Sequence, residues 1–240
     1  MAEEKRLTFL GHLKELRSCL VRSVIAFLVA LPVSFFLARK IFDILMNPAP
    51  GVELIYTEIA EMLGTYIKVT LYAAVVLILP YIVYLLVMFI RPALTKRERT
   101  YLYILLPSVF FLFLAGATFA YFVLLPPALN FLLTFGGDIA DPMIKVGNYV
   151  SVLTKLIFWI GICFEIPMVM FFLAKIGILK PEWLSKYRKF FYIIAFVLGG
   201  IITPTMDPIN QSLVAVPIII LFELGILLAK LARRTKVEAT

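Results

Sequence analysis

The chain has 240 residues, of which 62% are hydrophobic and only 16% charged, with a formal net charge of +8. A soluble chain of this length has no interior large enough to hide that much apolar surface, so lipid is its natural solvent. The basic residues fall in short clusters between long apolar runs and bring no nucleic-acid-binding motif with them, so they report membrane orientation and attraction to anionic lipid.

The first residues set the entry to the membrane. Phe9, Leu13, Leu16 and Leu20 recur at helical spacing, with Leu10 widening the stripe. This predicts an amphipathic helix lying along the membrane surface before turning into a first span. Arg39-Lys40 closes the following apolar run without a small-residue cleavage pattern, so it reads as a spanning helix and not a cleaved signal. A span needs roughly 20 apolar residues. Six candidates follow in order: Val21–Ala38, Lys68–Ile90, Tyr101–Leu125 (with a possible continuation to Leu133 beyond Pro126-Pro127), Tyr149–Lys175, Phe190–Thr203 and Ser212–Ala229. At about 1.5 Å per residue the fifth reaches about 21 Å and the sixth about 27 Å, both short of a roughly 30 Å hydrocarbon core. The bilayer is expected to thin at these two spans, or partners to cover them.

Charge fixes direction. Residues 1–22, 91–100, 175–189 and the tail from Lys230 carry 18 of the 23 Lys and Arg. Positive-inside weighting places these segments, and so both termini, in the cytoplasm. The outer segments 39–67 and 134–148 are mildly acidic and rich enough in apolar residues to fold into caps over the external face. The predicted fold class is an all-α integral membrane protein, a single domain over residues 1–240, with short last spans and caps between spans 1–2 and 3–4. No internal repeat is visible. Cys19 and Cys163 form no Cys-x-x-Cys pattern, and His12 is the only histidine, so neither a disulfide framework nor a His-built metal site is indicated.

Carboxylates mark the candidate sites. Glu165 sits ten residues from both Lys155 and Lys175, near the bilayer midplane, with only Gly161, Ile162, Met168 and Val169 at helix-neighbour spacing. A lone acid there costs several kcal/mol unless it meets protein, water or a partner. Pro167 removes a backbone hydrogen bond close by. Two readings stand: a functional acid, or a packing acid bonded to a hydroxyl on another span. Glu223 lies seven residues before Lys230 and reads as structural. Glu15 and Glu98 are acids inside basic segments, with no Lys or Arg at i±3 or i±4. They are either solvated surface acids or acceptors for guanidinium groups.

These motifs together resemble the TatC family, the receptor subunit of the twin-arginine protein translocase. The run Phe9-Leu10-Gly11-His12-Leu13-Lys14-Glu15-Leu16-Arg17 resembles the family's N-terminal signature, and residues 89–99, from Phe89 to Arg99, its first cytoplasmic loop. Phe164-Glu165-Ile166-Pro167 is similar to its fourth-span motif, and Thr203-Pro204, Gln211 and residues 221–225 to its fifth-to-sixth-span segment. The resemblance covers essentially the whole chain. It implies a non-enzymatic, cofactor-free membrane receptor in the inner membrane, working in an oligomeric complex driven by the proton-motive force.

By that resemblance Glu15 and Glu98 contact the twin-arginine pair of export signal peptides, among His12, Leu16, Arg17, Phe89 and Arg99. Glu165 faces a groove and meets single-span TatA-type or TatB-type subunits, with Thr203 and Gln211 at the partner contact. Pro48 also falls on a motif position, while Asp207 and Glu223 are secondary. Arg17-Ser18-Cys19 departs from the family pattern, which often has a second basic residue there. Composition alone leaves a second reading, a proton-coupled small-solute transporter with Glu165 as its relay. An intramembrane enzyme ranks below it, for want of a Ser–His pair, a facing acid pair or a metal-ligand set.

Overall fold

The computed structural model describes residues 9–47, 54–90, 96–134, 143–203 and 207–237, with the backbone alone at 9–13, 90, 96–105 and 234–237. Nine α-helices account for most of these residues: α1 Phe9–Met46, α2 Glu61–Ile90, α3 Lys96–Phe119, α4 Leu125–Thr134, α5 Val146–Cys163, α6 Ile166–Lys175, α7 Pro181–Lys186, α8 Arg188–Ile202 and α9 Pro208–Val237. A π-helical turn, Ala120–Leu124, joins α3 to α4 without a break. Five stretches among the described residues are long and apolar enough to cross a membrane: Lys14–Met46, Glu61–Phe89, Leu106–Thr134, Val146–Lys175 and Pro208–Arg233. The expected third span therefore continues through Pro126-Pro127, because the wider π turn absorbs the lost hydrogen bonds.

Two expectations are corrected. The N-terminal stripe does not form a separate surface helix that turns into the first span. α1 is one uninterrupted helix of 38 residues, about 57 Å long. No Gly or Pro interrupts it between Gly11 and Pro32, and the Ser23 hydroxyl donates back to the Cys19 carbonyl at 2.9 Å, inside the helix. The sixth span is not short either. α9 holds 30 residues, because Pro208 opens it earlier than expected and the Lys- and Arg-bearing tail keeps it helical beyond Ala229. Only α8, with 15 residues, reaches about 22 Å.

α5 is the central post. Leu153, Leu156 and Ile160 are fully enclosed in the main core, along with Val69 from α2 and Val214 from α9. α1 lies at the rim, antiparallel to α2. Cys19 Sγ approaches the Leu85 carbonyl at 3.7 Å, and the Tyr66 hydroxyl donates to the Phe35 carbonyl at 3.1 Å. The last turn of α1 has carbonyls with no helical partner. Tyr149 donates to the Leu45 carbonyl at 3.2 Å, and Tyr121 donates at 2.8 Å to that of Ile44, which also accepts the Asn47 amide at 3.3 Å. Small residues let helices approach. Gly116 of α3 sits against Gly161 of α5, so closely that a Cβ on Gly116 would lie 2.9 Å from the Gly161 Cα.

At the end of the bundle beyond Met46, two short strands pair in parallel, β1 Leu54–Ile55 with β2 Ile144–Lys145. The Glu61 carboxylate reinforces this cap. It accepts the amides of Thr57 and Gly147, each at 3.0 Å.

Candidate functional site

The antiparallel pairing of α1 and α2 decides what meets at the end opposite the cap. Cys19 stands level with Leu85, and one turn further out on each helix are Glu15 and Phe89. The next helix, α3, begins at Lys96, so Glu98 lies in its first turn, where an acid suits the positive end of the helix dipole. Glu15 is half-buried, while Leu16 and Arg17 are exposed. His12, Glu98 and Arg99 are placed by their backbone on α1 and α3. Helix packing thus brings two acids some 80 residues apart to one end of the molecule. Pro48 lies outside the described residues.

Glu165 occupies the junction between α5 and α6. The Pro167 ring conflicts with the carbonyl four residues back, which belongs to Cys163, and α5 ends at that residue. Glu165 then stands as the residue before α6. Its carboxyl lies against the backbone of Phe113 on α3. Both oxygens are enclosed, and neither has a hydrogen-bond partner among the described residues. The packing-acid reading needed a hydroxyl from another span, and among the described residues none bonds to it. Phe113 also lines an apolar groove of about 560 Å³ between α1, α2, α3 and α5. Glu165 is not in that groove's wall.

The α8–α9 turn is held from within. The Thr203 hydroxyl is buried and donates to the Gly199 carbonyl at 2.8 Å. Asp207 caps α9 by accepting the Asn210 amide at 2.7 Å. The Gln211 side chain donates to the Phe196 carbonyl at 2.8 Å and packs over Gly199 and Gly200. Glu223 does not reach toward Lys230. It pairs across to α8, accepting the Tyr192 hydroxyl at 2.6 Å and facing Arg188 at 3.3 Å.

Sequence reasoning passed over Arg188, Tyr192 and the cap role of Glu61. An acid in the first turn of α2 was the available signal for Glu61; the partners of Glu223 lie 31 residues or more away and left none. Among the described residues no group of three His, Cys, Asp or Glu could hold a metal ion.

With this geometry in place, the likeness to known proteins becomes specific. The family described as Sec-independent protein translocase protein (TatC) matches residues 11–217. The chain is 43% identical over 234 residues to a Sec-independent protein translocase protein TatC from Aquifex aeolicus strain VF5, covering 95% of this chain and 96% of the relative. It is 34% identical over 230 residues to the protein of that name from Carboxydothermus hydrogenoformans, covering 95% of each. A solved structure described as the crystal structure of twin arginine translocase receptor TatC superposes with a TM-score of 0.83 at 42% identity, over 92% of this chain and 99% of the other. Its counterpart in DDM gives the same score and identity, over 91% of this chain and 99% of that one. Protein translocation, and neither solute transport nor intramembrane catalysis, is the setting for these sites. The chain, a membrane frame built on α5 with acids at one end and at the α5–α6 junction, belongs to the TatC family of Sec-independent protein translocase proteins.

Proposed function

We propose that this chain is the signal-peptide receptor of a twin-arginine translocase, resident in the cytoplasmic membrane with six spans and both termini in the cytoplasm. The sixth crossing in this reading is the short α8, supported by the basic residues that flank it at Lys186, Arg188 and Lys189. The observation that carries the receptor role is the gathering of Glu15, Phe89 and the first turn of α3 at one end of the bundle. Two acidic residues placed by their backbone at one end of the bundle suit a pair of guanidinium groups, each binding through a two-pronged, charge-assisted contact. The solved relatives described as translocase receptors support the same reading.

Glu165 then serves assembly. A carboxyl enclosed at the α5–α6 junction without a hydrogen-bond partner among the described residues is suited to a polar group from a single-span subunit of TatA or TatB type. The Thr203–Gln211 turn offers the neighbouring contact at the short helix, and the proton-motive force drives the later steps. The test is crosslinking of a twin-arginine signal peptide to membranes carrying Glu15→Ala with Glu98→Ala. Loss of arginine-dependent crosslinking is expected. Undiminished crosslinking that still distinguishes Arg-Arg from Lys-Lys peptides refutes the receptor role.

A further inference from the structure

Two lysines interrupt otherwise apolar helices near the cap. Lys68 lies seven residues into α2 and Lys155 nine residues into α5, and both are exposed. Among the described residues neither forms an ion pair. Lys68 donates to the Ser151 hydroxyl at 3.3 Å. Glu58 and Glu61 line a second, polar cavity together with Lys68 and Lys145, and the Glu61 carboxylate is engaged by the Thr57 and Gly147 amides. A cation at this depth, about 10–14 Å along the helix from its outer end, is costly unless it reaches the interface or meets an anion.

Lys68, Ser151 and Lys155 line a cavity of about 560 Å³ whose remaining wall includes Tyr72, Thr154 and Phe158. The last three residues are shared with the apolar groove between α1, α2, α3 and α5, itself about 560 Å³. The hydroxyls of Thr118 and Tyr121 in that groove donate to the carbonyls of Leu114 and Ile44, and that of Thr154 to Val150. These hydroxyl hydrogens are used within the protein. The continuous surface is therefore cationic at one end and hydrocarbon along the rest.

We propose that these joined cavities bind one anionic phospholipid of the leaflet at the cap end. Its phosphate sits between Lys68 and Lys155, and an acyl chain follows the apolar groove. Charge complementarity selects the occupant. A zwitterionic lipid brings a cation of its own toward the two ammonium groups, and a free phosphate leaves the apolar groove unused.

The test uses the full chain in detergent and reads lipid retention by native mass spectrometry, with phosphatidylglycerol and phosphatidylcholine as the probes. The wild type is expected to hold phosphatidylglycerol in preference. Lys68→Gln with Lys155→Gln is expected to weaken that binding about tenfold or more and leave phosphatidylcholine unchanged. Lys68→Arg with Lys155→Arg retains it. Val76→Trp fills the apolar groove with both lysines intact and should also weaken binding. Equal retention of the two lipids by the wild type overturns the proposal, as does unchanged phosphatidylglycerol binding in the Gln pair or in Val76→Trp. Displacement by inorganic phosphate at the lipid's own concentration reduces the site to a simple anion site. Capture of a single-span protein through the lysines, with lipid binding unaffected by their loss, assigns them to a protein partner instead.

Discussion

Replacing Gly116 by alanine sets a methyl carbon 2.8 Å from Phe164 Cγ and 2.9 Å from both Phe164 Cβ and the Gly161 Cα. The ring can rotate aside, but the Cα belongs to the backbone of α5, so α3 and α5 must separate. Overpacking of this kind costs about 1–3 kcal/mol. Alanine also favours a helix over glycine by about 0.5–1 kcal/mol, which offsets part of the cost. Gly64→Ala isolates the two effects, since a Cβ on Gly64 of α2 meets nothing within 4 Å. Gly64→Ala should therefore be neutral or slightly stabilising, while Gly116→Ala loses stability. The gap between them is the overpacking term. Reversible unfolding in mixed micelles, followed by circular dichroism against the fraction of denaturing detergent, measures it. Equal midpoints for the two variants refute the close approach of α3 and α5.

Tyr192→Phe removes the hydroxyl that bonds Glu223 and should cost about 1 kcal/mol or less in the same assay, since such bonds in membranes average near 0.6 kcal/mol. Removing Arg188 as well should add little, because both groups of that pair are about one-third exposed. At the cap, the Glu61 carboxylate accepts the Thr57 and Gly147 amides, so Glu61→Ala leaves both without that acceptor. Hydrogen exchange at the Gly147 amide should accelerate in that variant at constant pH. Glu61→Gln, which keeps an acceptor oxygen, should lose less protection, and wild-type exchange in Glu61→Ala refutes the assignment.

Spans and their punctuation differ in how far the sequence reveals them. Long apolar runs were legible because hydropathy alone places a helix in lipid. Pro167 was legible too, since it opens the helix beside Glu165 as its chemistry requires. Pro32, Pro80 and Pro217 stay inside continuous helices, which shows that proline marks a weak point whose outcome the surrounding packing decides. α1 exceeded its apolar core at both ends, and α9 did the same, because helix propensity carries on past the hydrophobic run that sequence reading used as its ruler. At the candidate sites, the spacing of Glu165 from two lysines is read directly from the chain. The enclosure of its carboxyl oxygens is not, since that depends on helices distant in sequence. Thr203 and Gln211 illustrate the same limit: their inward bonds to Gly199 and Phe196 are contacts that a linear motif does not display.

The parallel ribbon at the cap joins Leu54 to Ile144 and Ile55 to Lys145, across about 90 residues of chain. Everything between those partners, two full membrane crossings included, must be in place before the ribbon can zip. A chain still emerging, or one stopped after Leu133, has its first strand facing nothing. The pair is too short to drive insertion, yet it closes the loop only when insertion has succeeded. It behaves as a latch, and protection of the Thr57 and Gly147 amides that the Glu61 carboxylate holds beside it reports the moment at which the second and third long stretches are closed between its two strands.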